Sequence, residues 1–340
     1  MSEPSQLRWH DPAWQKEAHD WIRAQAKRNS FQLTGEIEQP HAYAWSTVMR
    51  VPSSEGMLFF KATAGETIYE IALTEKLAGW FPDCMPDLVS VDTVRGWMLM
   101  RDGGETLRGS IRPTKDVRPW ETVITKYADL QIGLTEHVDE ILALGIPDYR
   151  LAALPALYKQ LIADEESMML DQEKGLTSAD YEKLQSLSPR FEQICADLAR
   201  YGIPESINHG DFHDGNVLVK DGRITFFDWG DANMTHPFVS VRTWFVSMEI
   251  ALELDDWAPP TPEMTALLHR YLERWERYGD KERLLVIYNL SRPVASIVKA
   301  LQWHQGITQM EGTVREEYAW IVPEVLREFM VYEGMLANKS

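Results

Sequence analysis

The chain has 340 residues, 44% hydrophobic and 25% charged, which suits a globular protein long enough for two lobes with separate cores. Its 34 basic and 52 acidic side chains give a formal charge of −18, which opposes nucleic-acid binding, since that needs clustered Lys and Arg. No apolar run approaches the ~20 residues of a membrane helix, and Cys84 and Cys195 lie far apart without metal-ligand spacing. A cytoplasmic protein with no membrane or nucleic-acid partner is expected.

The N-terminal segment MSEPSQLRWHDPAWQKEAHDW is polar and mixed in charge, unlike a secretory signal or transit peptide. Residues 11–28 are predicted as a helix, with Asp11 as cap, Pro12 in the first position, and Trp14, Ala18, Trp21 and Ile22 as its apolar stripe. Short β-like runs follow at Trp45–Val51 and Met57–Ala62, separated by the turn-rich Pro52–Gly56. A helix is predicted over 66–79, then strands at Leu88–Val91 and Gly96–Met100, and the section ends near Arg101–Gly104. Helical spacing of apolar residues then dominates, over 119–144, 152–171, 178–201, 237–254, 261–278, 280–302 and 313–335. The predicted class is α+β and bilobal. Residues 1–101 form a β-rich nucleotide-binding lobe with one main helix besides the N-terminal one. Residues 102–340 form a larger, mostly helical lobe carrying the catalytic and acceptor residues.

The exception to the helical pattern is 208–231. It contains Asn208-His209-Gly210-Asp211-Phe212-His213-Asp214-Gly215-Asn216 and then VLVKDGRITFFDWGDA. Asp221-Gly222 between two β-like runs predicts a two-residue hairpin turn, both of whose central residues need positive φ. That turn pairs Lys220 with Arg223, so Asn216 faces Phe227 and Asp228 lies one residue beyond. Opposed residues are ~4.5–5.5 Å apart, so Asn216 and Asp228 can share one ion. Asp211 precedes Asn216 by five positions, the spacing of the protein-kinase catalytic loop. There an Asp orients the attacking hydroxyl and an Asn holds Mg²⁺. Asp228-Trp229-Gly230 matches that fold's metal-binding Asp-Phe-Gly with Trp in the middle. Such chemistry needs a carboxylate to accept the hydroxyl proton and hard oxygen ligands for Mg²⁺.

His-Gly-Asp-Phe-His-Asp-Gly-Asn, the hairpin and Asp-Trp-Gly-Asp-Ala resemble the aminoglycoside phosphotransferase and choline kinase superfamily. The resemblance implies a protein-kinase-like fold, Asp211 as catalytic base, and Asn216 and Asp228 as Mg²⁺ ligands. A zinc reading of His209 and His213, four apart, is opposed by the glycines that break a helix there. Hydrogen bonds from both histidines to loop backbone or to Asp228 are expected instead.

A kinase of this fold needs a strand Lys for the nucleotide's phosphates and a helix Glu to orient it. Lys61 stands inside the apolar run Met57–Ala62, where a charge requires a partner. Glu70 and Glu75 are separated by about 140° around a helix, so only one can face Lys61; the superfamily's helix carries its acid early, which selects Glu70. Ser46 and Thr47 form either the turn over the phosphates or an ordinary strand entry. Met98 and Met100 are nucleotide contacts or plain core, and Arg101-Asp102 is the connector whose backbone would meet the adenine edge. For the acceptor, the candidates are Asp231, Glu249, Glu253 and Trp303. Asp255 and Asp256 follow Glu253, Asp164–Glu166 is another acidic run, and Trp244, Trp257 and His304 join Trp303 as a substrate wall or as core. Glu249 and Glu253 lie four apart and would share a helix face; acids there would meet ammonium groups, or simply be a solvated surface.

The function expected is Mg²⁺-dependent transfer of the γ-phosphate of ATP or GTP to a hydroxyl of an aminoglycoside-like, amino-alcohol or sugar-like acceptor. Two alternatives share the fold. A protein kinase would carry an Ala-Pro-Glu signature and a long segment after Asp228, whereas His236-Pro237-Phe238 follows within ten residues. A non-catalytic nucleotide-binding protein would lack one of the expected groups, and none is missing.

Overall fold

The computed structural model describes residues 8–43, 45–255, 257–308, 310 and 312–337. The chain forms two compact units, Met1–Gly109 with Gly215–Gly230, and Ser110–Asp214 with Asp231–Ser340. In chain order the elements begin with α1 (Pro12–Arg28), β1 (Glu38–Ala42), β2 (Ser46–Ser53), β3 (Gly56–Thr63), α2 (Tyr69–Trp80), β4 (Leu88–Asp92), β5 (Trp97–Arg101) and β6 (Glu105–Thr106). Next come α3 (Leu107–Thr114), α4 (Trp120–Leu134), α5 (Val138–Leu142), α6 (Leu154–Ala163), α7 (Ser178–Ser186), α8 (Ser188–Ala199), β7 (Ser206–Asn208), β8 (Val217–Lys220), β9 (Arg223–Phe226) and β10 (Asn233–Thr235). The chain closes with α9 (Val241–Leu252), α10 (Pro262–Glu273), α11 (Lys281–Thr308), α12 (Gly312–Tyr318) and α13 (Ile321–Ala337).

The first unit is built on an antiparallel sheet in the order β1-β2-β3-β5-β4. Asp11 caps α1 as expected, its Oδ1 accepting from the amides of Ala13 and Trp14. Alternation then sorts the side chains. Leu58, Phe60 and Ala62 of β3 and Trp97 and Leu99 of β5 share one buried cluster with Ala18 and Ile22 of α1. Each large apolar side chain buried there contributes about 1.5–3 kcal/mol. The intervening residues, Lys61 of β3 and its partner Met98 of β5, belong to the opposite face by the two-residue period. A second small sheet, β6-β8-β9, completes this unit.

The second unit is helical, with β7 and β10 as one antiparallel pair, Asn208 opposite Asn233. Buried aromatics form its core, including Trp120, Tyr127, Trp244, Tyr271 and Trp275. Polar atoms of α4 support β7 and the loop after it. Gln131 Nε2 donates to the Ile207 carbonyl at 2.9 Å, and the amide of His209 donates to Tyr127 Oη at 2.9 Å. Phe212 stacks on the Tyr127 ring with centroids 4.0 Å apart.

Several predicted helices are shorter than their periodicity. The 178–201 pattern divides at Leu187 into α7 and α8, with Pro189 in the first turn of α8, where its missing N–H breaks no intrahelical bond. The 152–171 pattern stops at Ala163, and beyond it Met169 and Asp171 adopt positive φ. Conversely, α11 runs six residues past the predicted 302 to Thr308. It is one helix long and apolar enough to cross a membrane by length and composition, and 61% of its apolar window is buried inside the protein.

Candidate active site

In the first unit, Lys61 sits mid-strand on β3, opposite Val48 on one side and Met98 on the other. It is 6% exposed. A buried ammonium needs compensating charge, and two carboxylates supply it. Nζ donates to Glu70 Oε1 at 2.5 Å and to Asp228 Oδ1 at 2.6 Å. Glu70, 1% exposed, comes from the first turn of α2, whereas Glu75 points to solvent. Burial pulls the Lys61 pKa down, but the charges of Asp228 and Glu70 outweigh it and hold the ammonium above the usual lysine range.

Asp228 is positioned by the β8–β9 hairpin. Asp221 and Gly222 have φ of 51° and 82°, as the predicted turn requires, and Lys220 opposes Arg223. The ladder continues to the open end, where the Phe227 amide donates to the Asn216 carbonyl at 3.3 Å. Asn216 and Asp228 thus stand at the same end of one hairpin. Beyond them Trp229 is fully buried, and Tyr69 Oη donates to the Gly230 carbonyl at 2.6 Å. A Cβ on Gly230 would lie 3.3 Å from Glu70 Oε2, so the backbone passes close beside the Lys61 partner. One carboxylate and one amide oxygen at a hairpin end are a hard-donor pair suited to Mg²⁺, which keeps several waters and takes phosphate oxygens as further ligands. Among the described residues no group of three or more His, Cys, Asp and Glu is placed to hold a metal.

In the second unit, β7 leads into the loop bearing Asp211. Gly210 has φ +79°, and a Cβ there would come within 2.1 Å of the Asp231 carbonyl and 2.2 Å of Gln302 Nε2. Only glycine allows this approach. Asp211, about a third exposed, has His213 Nε2 at 3.2 Å and Lys299 Nζ at 3.9 Å. Burial raises its pKa, but the His213 hydrogen bond and the charges of Lys299, His213 and His209 prevail and hold the carboxyl well below its usual range. The two histidines therefore serve the Asp211 loop: His209 Nδ1 accepts from the Asp211 amide at 3.4 Å. Asp214 is buried, with Arg112 Nε on its Oδ2 at 3.1 Å.

The remaining candidates fall in varied places. Thr47 is buried and its hydroxyl ties strands together, donating to the His41 carbonyl at 2.7 Å and accepting from Gln39 Nε2 at 2.8 Å. Ser46 is buried beside it at the start of β2. Met98 is buried and Met100 partly so. The connector amides of Arg101 and Asp102 are donated to the carbonyls of Asp87 and Met57, so backbone pairing with a base cannot use them as arranged.

The acidic candidates do not form the shared face expected of them. α9 ends at Leu252, and Glu253 is its left-handed C-cap with φ 54°, which turns it off the helix that carries Glu249. Glu253 pairs with Lys115 at 2.5 Å. Asp231 and Asp255 are exposed, and Asp256 lies outside the described residues. Trp244 is core, and Trp257 meets the Tyr332 ring edge-on. Trp303 stacks on Tyr318, and His304 bonds to Asp164 at 2.8 Å.

Two side chains absent from the sequence reading come from one turn of α11. Lys299 Nζ donates to the Gly210 carbonyl at 3.0 Å, and Gln302 Nε2 to the Asp231 carbonyl at 2.7 Å. Their signal was a lone Lys in the apolar run SIVKALQW, the same anomaly that marks Lys61.

The sequence model of the phosphotransferase enzyme family matches residues 96–285, more than half of the chain. The chain belongs to that family, and is a phosphotransferase acting on an alcohol group of its acceptor. No curated protein sequence matches it significantly. Among solved structures, the ethanolamine kinase of Plasmodium vivax aligns with TM-score 0.58 at 12% identity, over 93% of this chain and 86% of that one. A choline kinase from Cryptosporidium parvum aligns with TM-score 0.58 at 11% identity, over 94% and 97%. A GDP complex of an aminoglycoside 2′-phosphotransferase-IIIa variant aligns with TM-score 0.58 at 13% identity, over 93% and 97%. The fold is therefore that of the choline kinase and aminoglycoside phosphotransferase type, a protein-kinase-like α+β fold with a sheet-bearing lobe and a helical lobe.

Proposed function

We propose that this chain transfers the γ-phosphoryl group of ATP or GTP to a hydroxyl of a small molecule, with Asp211 accepting the hydroxyl proton. The observation that carries this reading is the buried Lys61 ammonium, shared between Glu70 and Asp228. It keeps a fixed positive charge on one sheet face, which suits the nucleotide's α- and β-phosphates. Asn216 and Asp228 would hold Mg²⁺, which when bound neutralises charge on the phosphates. Met98, on the same sheet face as Lys61, would pack against the base, with Met100 beyond it and Ser46 near the phosphates. Such chemistry implies the cytoplasm, where ATP and Mg²⁺ are supplied together.

The acceptor is read as an amino alcohol, an aminoglycoside-like molecule or a sugar-like metabolite. The formal charge of −18 favours encounter with cations, and the structural neighbours named above are kinases of ethanolamine, choline and aminoglycosides. Asp231, Glu249 and Trp303 remain the side chains proposed to meet it; Glu253, engaged by Lys115, is a weaker candidate.

The test is nucleoside-diphosphate release with Mg²⁺ and either ATP or GTP, against ethanolamine, choline, aminoglycosides, macrolides, homoserine and free sugars. Turnover with one class that chelation and Asp211→Asn both remove is the expected result. Failure to bind either nucleotide would sink the proposal.

A further inference from the structure

A lysine inside an apolar helix face is costly unless something uses its charge. Lys299 lies on α11, its side chain 15% exposed, between Val298 and Ala300, both buried. Three contacts account for it among the described residues: the Gly210 carbonyl at 3.0 Å, Asp211 Oδ1 at 3.9 Å and the Trp303 ring, whose centroid is 5.8 Å from Nζ. An ammonium has three N–H donors. One is spent on Gly210. At 3.9 Å the Asp211 carboxylate is beyond hydrogen-bond length, so it attracts the charge without taking a donor.

That distance has a chemical meaning once Asp211 is read as the base, the reading on which this inference rests. An acceptor hydroxyl bonded to Asp211 lies roughly 2.7 Å from its carboxylate oxygen. The space within hydrogen-bond reach of that oxygen therefore includes the neighbourhood of Nζ. In phosphoryl transfer the charge of the moving group is spread over its three non-bridging oxygens while the acceptor oxygen closes on phosphorus. A preorganised cation at that point stabilises the transition state more than the ground state.

We propose that Lys299 is a catalytic cation, supplied from α11, that binds the non-bridging oxygens of the phosphoryl group as it passes to the hydroxyl held by Asp211. A lone pair of the hydroxyl oxygen forms the new P–O bond. The bond from phosphorus to the nucleotide's bridging oxygen breaks, and its electron pair leaves with the diphosphate. The hydroxyl proton goes to Asp211, and Lys299 neither gains nor loses one. Gly210 has a part in this, because its carbonyl holds the ammonium in place without neutralising it.

The acceptor need not be known for the test. Affinities are measured for Mg²⁺-AMP-PNP, a ground-state mimic, and for Mg²⁺-ADP with aluminium fluoride, a mimic of the phosphoryl group in flight. Wild type, Lys299→Met, Lys299→Arg and Asp211→Asn are compared, with thermal unfolding of each. Lys299→Met should weaken the aluminium fluoride complex by roughly 10–100-fold, as for loss of one preorganised donor, while AMP-PNP binding stays within about threefold. Lys299→Arg should recover most of the loss, since it keeps the charge. Equal affinity of wild type and Lys299→Met for the aluminium fluoride complex, or equal loss on both ligands, would overturn the assignment and leave Lys299 a structural tie to Gly210. If Lys299→Met does not fold, Lys299→Arg and Lys299→Gln decide it by the same ratio. Asp211→Asn separates the two levels of inference: Mg²⁺-ATP hydrolysis, with water as acceptor, unchanged from wild type in that variant removes the base itself, whatever Lys299 does.

Discussion

The two charged centres of this protein are electrostatic opposites. In the first unit a cation, Lys61, is enclosed by the carboxylates of Glu70 and Asp228; in the second a carboxylate, Asp211, is approached by His213 and Lys299. In both, burial penalises the charge and the surrounding groups outweigh the penalty. They differ in access. Lys61 is almost fully buried and held at hydrogen-bond distance on two sides, so its direction is fixed. Asp211 is about a third exposed, with Lys299 standing off at 3.9 Å, an access that the proposed function would use to receive a reactant. Under the proposed function one centre would grip and the other react.

The largest expected effect lies at the reactive centre. Asp211→Asn should lower turnover by roughly 10²–10⁴-fold with nucleotide affinity preserved, the range for a positioned base. Turnover near wild type would break the contrast at once. At the gripping centre, Lys61→Met leaves Glu70 buried without its cation. Denaturant unfolding should show a loss of about 3–5 kcal/mol, as for breaking a buried pair, and a small loss would mean that water reaches Glu70. Gly210→Ala forces a side chain onto φ +79° against the Asp231 carbonyl. It should cost about 1–3 kcal/mol from backbone conformation alone, and lower kcat through Asp211 as well. An unchanged melting temperature would show that the loop adapts.

The smaller effects test the surface. Lys115–Glu253 is exposed, and Glu253→Gln should change stability by no more than about 1 kcal/mol. If Glu249→Gln/Glu253→Gln flattens the salt dependence of kcat/KM for a cationic acceptor, those acids steer substrate despite the Lys115 pair. The smallest expected effect is that of pH. The folded pKa of Asp211 is below its unfolded value of about 3.9, so its contribution to stability is present above about pH 4 and lost as pH falls through the folded value. Lys61 is raised above its unfolded value of about 10.4, so its contribution is complete below that pH and lost as pH rises through the folded value. Between those limits neither group should titrate. A carboxyl-carbon NMR signal of Asp211 moving between pH 5 and 7 would contradict this.

The gripping centre was the more legible in sequence. A lysine in an apolar strand and an Asp-Gly hairpin are local patterns, whereas the choice of Glu70 over Glu75 came from the family resemblance; the structure brings Lys61, Glu70 and Asp228 together. The strand and helix positions of the first unit follow from the same short-range signals. Lys299 and Gln302 could not be placed in this way, because nothing local says which loop a residue of a long helix will meet. The acidic cluster misled for a physical reason. Spacing of four implies a common face only while the helix continues, and α9 stops one residue before Glu253. Helix ends within 119–144 and 178–201 were missed because periodicity persists across a break that neighbouring packing tolerates.

The hairpin also constrains how this part of the protein can vary over evolutionary time. Asn216 and Asp228 stand at the same end of the hairpin because Asp221-Gly222 closes the shortest turn and every later pair follows from it. One residue gained in a single strand would slide Asn216 past Phe227 and turn alternate side chains to the opposite face. One residue gained in each strand would keep the ends together and only lengthen the arm. In related chains the spacing from this Asn to this Asp should therefore change by even numbers, with odd changes confined to chains that carry a bulge or a longer turn. The number of residues between two functional groups is here a record of strand pairing.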